Sequence, residues 1–137
     1  MRFKLSSNAG DIVSVALAAE EASADCSVIA NTFLSLKIRT DVSRPAHGKE
    51  FGGVVSPALK PIVLQMVYRV AKLVKIPIIG IGEVPKVENV AGYMLADASA
   101  VGIGYSAFRN HTAVITIIGE LKAWCIVGDF RTLDVLG

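Results

Sequence analysis

The sequence predicts an α/β fold, a parallel sheet built from βα units within one domain covering residues 1–137. Three observations carry that prediction. Short apolar runs near residues 2, 27, 52, 77 and 101 alternate with stretches of helical period, the pattern of parallel strands joined by crossover helices. The apolar share is 53%, above the roughly 45–50% of an ordinary soluble domain, as expected of strands covered on both faces. Residues 75–108, KIPIIGIGEVPKVENVAGYMLADASAVGIGYSAF, spell out one whole βαβ unit. A strand from Ile76 to Ile81 leads through a turn at Gly82 into a helix from about Lys86 to Ala96, and a strand from Ala100 to Ile103 ends at Gly104.

Taken in order, Arg2 to Leu5 is a short strand, and SSNAGD supplies helix-start residues, with Asn8 or Asp11 as the N-cap. The helix from Ile12 to about Ala22 sets Ile12, Val15, Ala16 and Ala19 on one face toward the sheet. Cys26 to Ala30 is the next buried strand, closed by the polar pair Asn31-Thr32. Such a pair more often satisfies backbone groups in a turn than binds a ligand. From Phe33 to Ser56 no helical period exists, and KIRTDVSRPAHGKEFGG carries most of the charge. A loop of this length is expected to be functional and to fold a small hairpin of its own, with Leu36 to Arg39 as one arm. Gly52 to Val55 resumes as a strand, and Ser56-Pro57 opens a helix from about Ala58 to Val74. Its inner stripe is Ile62, Met66, Val67, Val70, Leu73 and Val74, and Pro57 and Pro61 fit only its first turn. After the βαβ unit Asn110 caps a last helix from about Thr112 to Val127, apolar along Val114, Ile115, Ile118, Leu121 and Trp124-Cys125, and the tail GDFRTLDVLG forms a short helical turn.

Composition narrows the function. No run approaches the roughly 18 apolar residues of a membrane span, and MRFKLSSNAG holds no apolar signal core, so the expected compartment is the cytoplasm. A net charge of +2 from scattered basic residues argues against nucleic acid. Cys26 and Cys125 read as reduced core thiols, and His47 and His111 lack metal-spaced partners. Glycines closing two successive strands, Gly82 and Gly104, let backbone N–H groups crowd around an anion, although a plain turn is the commoner use of such a glycine.

The segments KLSSN, AAEEASADCSVIANT, FGGVVSPALKPIVLQMVYRV, IPIIGIGEV and ADASAVGIGYSAF follow one another in a distinctive order. Together they resemble the second half of a class 1 dihydroorotate dehydrogenase, the NAD-linked subtype above all. The resemblance implies half of a TIM-type (β/α)8 barrel that holds FMN at the carboxyl ends of its strands and oxidises dihydroorotate to orotate in pyrimidine biosynthesis. Carried over by position, it implies that Lys4 contacts the flavin ring system, that Ala30 touches FMN, and that Asn31 and Thr32 hydrogen-bond the substrate. Ser56, Gly82, Glu83, Gly104 and Tyr105 then form the backbone cradle of the FMN phosphate. An iron-sulfur flavoprotein subunit is the electron-transfer partner that the subtype implies.

Several positions depart from the family pattern. Val55-Ser56-Pro57 stands for Ser-Gly-Pro, Gly82-Glu83 for paired glycines and Gly104-Tyr105 for Gly-Thr. A carboxylate about 4 Å from a phosphate repels it by roughly 4 kcal/mol at an effective dielectric near 20, so Glu83 is expected to point away from it, and Tyr105 could fill the phosphate space. Ser23 and Asp97 replace helix-end glycines, where a left-handed residue costs about 1 kcal/mol. The family's catalytic cysteine lies ahead of the segment matched here, and neither Cys26 nor Cys125 corresponds to it. The expectation is therefore an enzyme segment inactive alone, completed by an N-terminal half. The alternatives are a noncatalytic half barrel that binds a phosphate-bearing ligand and forms a homodimer, and another phosphate-binding βα-barrel enzyme.

Overall fold

The computed structural model describes residues 1–127, and the tail read as a helical turn lies outside them. Four parallel strands make the main sheet: β1 (Arg2–Lys4), β2 (Cys26–Ile29), and two strands from the second half of the chain. Between the first two runs helix α1 (Ile12–Glu21). The loop region folds as β3 (Phe33–Ser35), β4 (Ile38–Arg39), β5 (Arg44–Pro45) and β6 (Gly52–Val54). A short 3-10 turn, Pro57–Leu59, precedes α2 (Lys60–Ala71). Then come β7 (Ile78–Gly82), α3 (Val87–Met94), β8 (Ala100–Ile103), α4 (Tyr105–Arg109) and α5 (Ala113–Val127). The sheet order is β1-β2-β7-β8, all parallel, with Lys4, Val28, Ile79 and Ala100 in one row.

One correction concerns the sheet. The stretch Gly52 to Val55 is expected as a fifth parallel strand, but its strand β6 pairs antiparallel with β3 outside the main sheet. Two adjacent glycines give such a strand nothing to bury between layers. Instead a Cβ on Gly53 would collide with the Thr32 side chain, and one on Gly52 would sit 2.9 Å from the His47 ring. The small hairpin expected in the loop is β4 paired with β5, its first arm shorter than Leu36 to Arg39.

The two faces of the main sheet differ. Ser27, Ile29, Ile78 and Gly80 point to one side and are buried, where α2 packs on β7, α3 on β8 and α1 on β2. Lys4, Cys26, Val28, Ile79, Ile81 and Gly102 point to the other, and none of them is buried. This one-sided cover, with β1 and β8 as edges, is the geometry of a partial βα barrel whose inner face lacks its opposite wall.

Helix ends follow local chemistry. Asp11, not Asn8, caps α1: its carboxylate accepts from the Ser14 amide at 3.3 Å and the Ser14 hydroxyl at 2.6 Å. These contacts, the hydroxyl first, lower the Asp11 pKa. Asn110 accepts from the Thr112 amide at 3.0 Å before α5. Ser23 and Asp97 are left-handed, at φ 63° and 66°. Each ends its helix in a Schellman motif, with Ala24 N–H donating to Ala19 and Ala98 N–H to Tyr93.

The core stripes differ in phase from the sequence reading. On α1 Val13 is buried and Val15 only half so; on α2 the inner row is Val63, Val67, Val70, with Val74 just beyond it, while Ile62 and Leu73 are exposed. On α5 Ala113, Ile117 and Cys125 face inward, and Ile115 and Ile118 face out. On α5 apolar residues run nearly all round, so no polar face marks which row turns inward, whereas on α2 the exposed Gln65, Arg69 and Lys72 stand opposite the buried row.

Candidate functional site

The carboxyl ends of the four parallel strands open onto a cavity of about 350 Å³. Each strand delivers its last residues there: Lys4 from β1, Ala30-Asn31-Thr32 after β2, Gly82-Glu83 from β7, and Gly104-Tyr105 after β8. Ser56 arrives from the other side, held by accepting from the Ala58 amide at 3.3 Å as the cap of the 3-10 turn. All nine sequence-predicted positions, Lys4, Ala30, Asn31, Thr32, Ser56, Gly82, Glu83, Gly104 and Tyr105, thus line one cavity.

The loop after β1 fixes the Asn31-Thr32 turn. Ser7 Oγ donates to the Asn31 carbonyl at 3.0 Å and to the Thr32 carbonyl at 3.1 Å, and Asn8 Nδ2 donates to the Thr32 carbonyl at 3.0 Å. Asn8 Oδ1 in turn accepts from the Leu34 amide at 3.0 Å. The Asn31 amide donates to the Leu5 carbonyl at 3.2 Å, so both ends of the turn are tied to the β1 loop. The Ile29–Ala30 peptide is cis. Gly53 keeps the neighbouring strand bare where the Thr32 side chain lies.

Glu83 and Tyr105 sit outside the left-handed region, which among non-glycine residues holds only Ser23, Ser43 and Asp97 of those described. Neither position therefore carries the strain of a left-handed backbone. Tyr105 is 44% exposed, whereas Glu83 is buried at 7% exposure, so its carboxylate is not carried out into solvent.

Two polar residues of the cavity were missed from the sequence. Lys60 is the first residue of α2. A lysine at a helix N-terminus opposes the helix dipole, and that misplaced cation was the available signal. Tyr93 on α3 is fully buried beneath β7. A Cβ on Gly80 would lie 2.7 Å from its ring, and one on Gly82 would lie 2.6 Å from its hydroxyl. Glycines two apart share one strand face, so Gly80 and Gly82 together predict a groove for a large ring. Burial raises the Tyr93 pKa to about 12, and its hydroxyl has no hydrogen-bond partner among the described residues.

The donor set fits an anionic group. Lys4 and Lys60 outnumber the single carboxylate of Glu83, the buried Tyr93 hydroxyl has no acceptor among the described residues, and beyond its chain neighbours no described atom lies within 4 Å of where a Gly104 Cβ would stand.

Comparison with known proteins names the lineage. The dihydroorotate dehydrogenase family profile matches residues 1–124. The chain belongs to the dihydroorotate dehydrogenase family. It is 44% identical over 135 residues to the "Dihydroorotate dehydrogenase B (NAD(+)), catalytic subunit" of Brachyspira hyodysenteriae, covering 98% of this chain and 45% of the relative. It is 42% identical over 118 residues to the "Putative dihydroorotate dehydrogenase A (fumarate)" of Solibacter usitatus, covering 86% of this chain and 39% of that one. The chain therefore spans less than half the length of these dihydroorotate dehydrogenases. Among solved structures, a DHODH from Eimeria tenella in complex with ferulenol superposes with a TM-score of 0.78 at 22% identity, over 99% of this chain and 37% of that one. That likeness establishes the fold as part of an α/β barrel. No helix among the described residues is long and apolar enough to cross a membrane.

Proposed function

We propose that this chain is the FMN-phosphate-binding and substrate-contacting segment of an FMN-dependent dihydroorotate dehydrogenase, acting in the cytoplasm in the conversion of dihydroorotate to orotate. The observation that carries the reading is the gathering of the nine positions on one cavity at the strand ends. In a βα barrel the last two strands are where a cofactor phosphate is commonly held.

In this reading the backbone of Ser56, Gly82, Glu83, Gly104 and Tyr105 surrounds the phosphate. Lys4, on the open face of the sheet, lies against the flavin ring system, where its charge favours electron-rich states of the ring. Ala30 flanks the ring, and Asn31 and Thr32 orient the substrate by hydrogen bonds. FMN, when bound, supplies the acceptor for the two electrons removed from dihydroorotate. The proton acceptor for that oxidation, and the strands that pair with the β1 and β8 edges, come from sequence outside this chain. An iron-sulfur flavoprotein subunit takes the electrons onward, in keeping with relatives named as catalytic subunits.

The test combines the chain with the N-terminal half of a related dihydroorotate dehydrogenase. The mixture is expected to retain yellow flavin absorbance through gel filtration and to form orotate from dihydroorotate. A colourless, inactive mixture of folded halves contradicts the reading.

A further inference from the structure

Three side-chain hydroxyls among the described residues are buried without a hydrogen-bond partner: those of Ser27, Tyr93 and Ser106. Of these residues only Tyr93 lines the cavity. Its ring rises from α3 beneath Gly80 and Gly82, and its oxygen occupies the space that a Cβ on Gly82 would need. A buried, unpaired hydroxyl is costly relative to one in water, yet this one stands beside the strand-end backbone that a bound anion would approach. Lys60 lines the same cavity.

We infer that the Tyr93 hydroxyl is a ligand-contacting donor, giving its proton in a hydrogen bond to an anionic oxygen held beside Gly82 in the strand-end cavity. The ligand chemistry is a phosphate monoester. Several features converge on this. A phenol bonded to an anion makes a charge-assisted hydrogen bond, stronger than one between neutral groups. Burial keeps the group protonated to about pH 12, so at neutral pH it can donate and adds no negative charge beside Glu83. The bare Gly82 backbone leaves the oxygen room to stand where it does, and no acceptor among the described residues competes for its proton. This site deepens the FMN reading and rests on it.

The test uses the full chain and its Tyr93→Phe variant, which keeps the ring and removes only the oxygen, with circular dichroism to confirm the fold. Each protein is titrated with FMN and, separately, with inorganic phosphate. The variant is expected to bind both roughly ten- to hundredfold more weakly, while its melting temperature without ligand stays equal or rises. Equal affinity of the two proteins for FMN overturns the Tyr93 contact and leaves the FMN reading standing; weaker FMN binding with unchanged phosphate binding overturns the oxyanion as its acceptor. Failure of the unaltered chain to bind either ligand overturns both. A second readout needs no variant in the titration. The ring-carbon resonance of Tyr93 next to oxygen, in tyrosine-labelled protein, should shift as phosphate is added, and a stationary resonance contradicts the contact.

Discussion

Gly82 and Tyr93 share one small volume, and that pairing makes a sharp prediction at the scale of single residues. In Gly82→Ala the new methyl would lie 2.6 Å from the Tyr93 oxygen but 3.7 Å from the ring carbon behind it. The substitution should cost about 1–3 kcal/mol as overpacking. In a Tyr93→Phe background the same change should be nearly neutral, a coupling of roughly 1 kcal/mol or more by urea unfolding of the double-mutant cycle. Strict additivity would place the hydroxyl elsewhere. Tyr93 also shapes stability at high pH. The unfolded phenol ionises near its ordinary value of 10, the folded one at about 12, so between these the native state holds more protons and stability falls as pH rises. Melting temperatures of the unaltered chain should therefore drop more steeply from pH 10 to 12 than those of Tyr93→Phe; parallel curves contradict the buried, neutral phenol. The nine expected site positions came from the family resemblance, carried over position by position, and the structure brings all nine to one cavity; from the residues alone only the strand-end glycines Gly82 and Gly104 pointed to an anion site. Tyr93 was not legible, because its role depends on a groove between two elements, and a tyrosine on a helix reads as ordinary core.

Secondary-structure elements were legible where local chemistry decides them. The left-handed ends of α1 and α3 at Ser23 and Asp97, which the family resemblance implied, stand there at φ 63° and 66°. Ser23→Gly should stabilise the chain by roughly 0.5–1 kcal/mol, the relief of a strained φ less the extra entropy of glycine in the unfolded state. A thermal melt reads this directly, and a lower melting temperature contradicts the strain. Where partners decide, the sequence misled. β6 has the extended signature of a strand, but its pairing with β3 is set by the bare Gly52-Gly53 backbone that Thr32 and His47 pack upon. The phase of α5 was misjudged for a related reason, since with apolar side chains all round only the neighbouring elements choose the buried row; on α2 the polar side of Gln65, Arg69 and Lys72 was a signal left unused.

At the scale of the whole molecule, one sheet face is covered by helices and the other, with Lys4, Val28, Ile79 and Ile81, is not. Parallel βα alternation was readable throughout the main sheet, and the half-barrel resemblance implied open edges and an uncovered interior, but which residues line the open face emerges only from the assembled strands. Leu5 shows how tightly site and fold are joined. It is 1% exposed, its amide donates to the Val28 carbonyl at 2.9 Å, and its carbonyl receives the Asn31 amide. Leu5→Ala should lose about 2–5 kcal/mol, a large part of the roughly 5–15 kcal/mol that holds a domain together, read as a lower denaturant midpoint. A loss below about 1 kcal/mol would mean that this junction is not core. The central claim is that the strand-end cavity grips a flavin by its phosphate. The most direct measurement is a fluorescence titration of the full chain with FMN and with riboflavin, which has the same ring system and no phosphate. FMN should bind at least about tenfold more tightly, the worth of roughly one good charge-assisted hydrogen bond. Equal affinity for the two flavins, or none for either, contradicts the account.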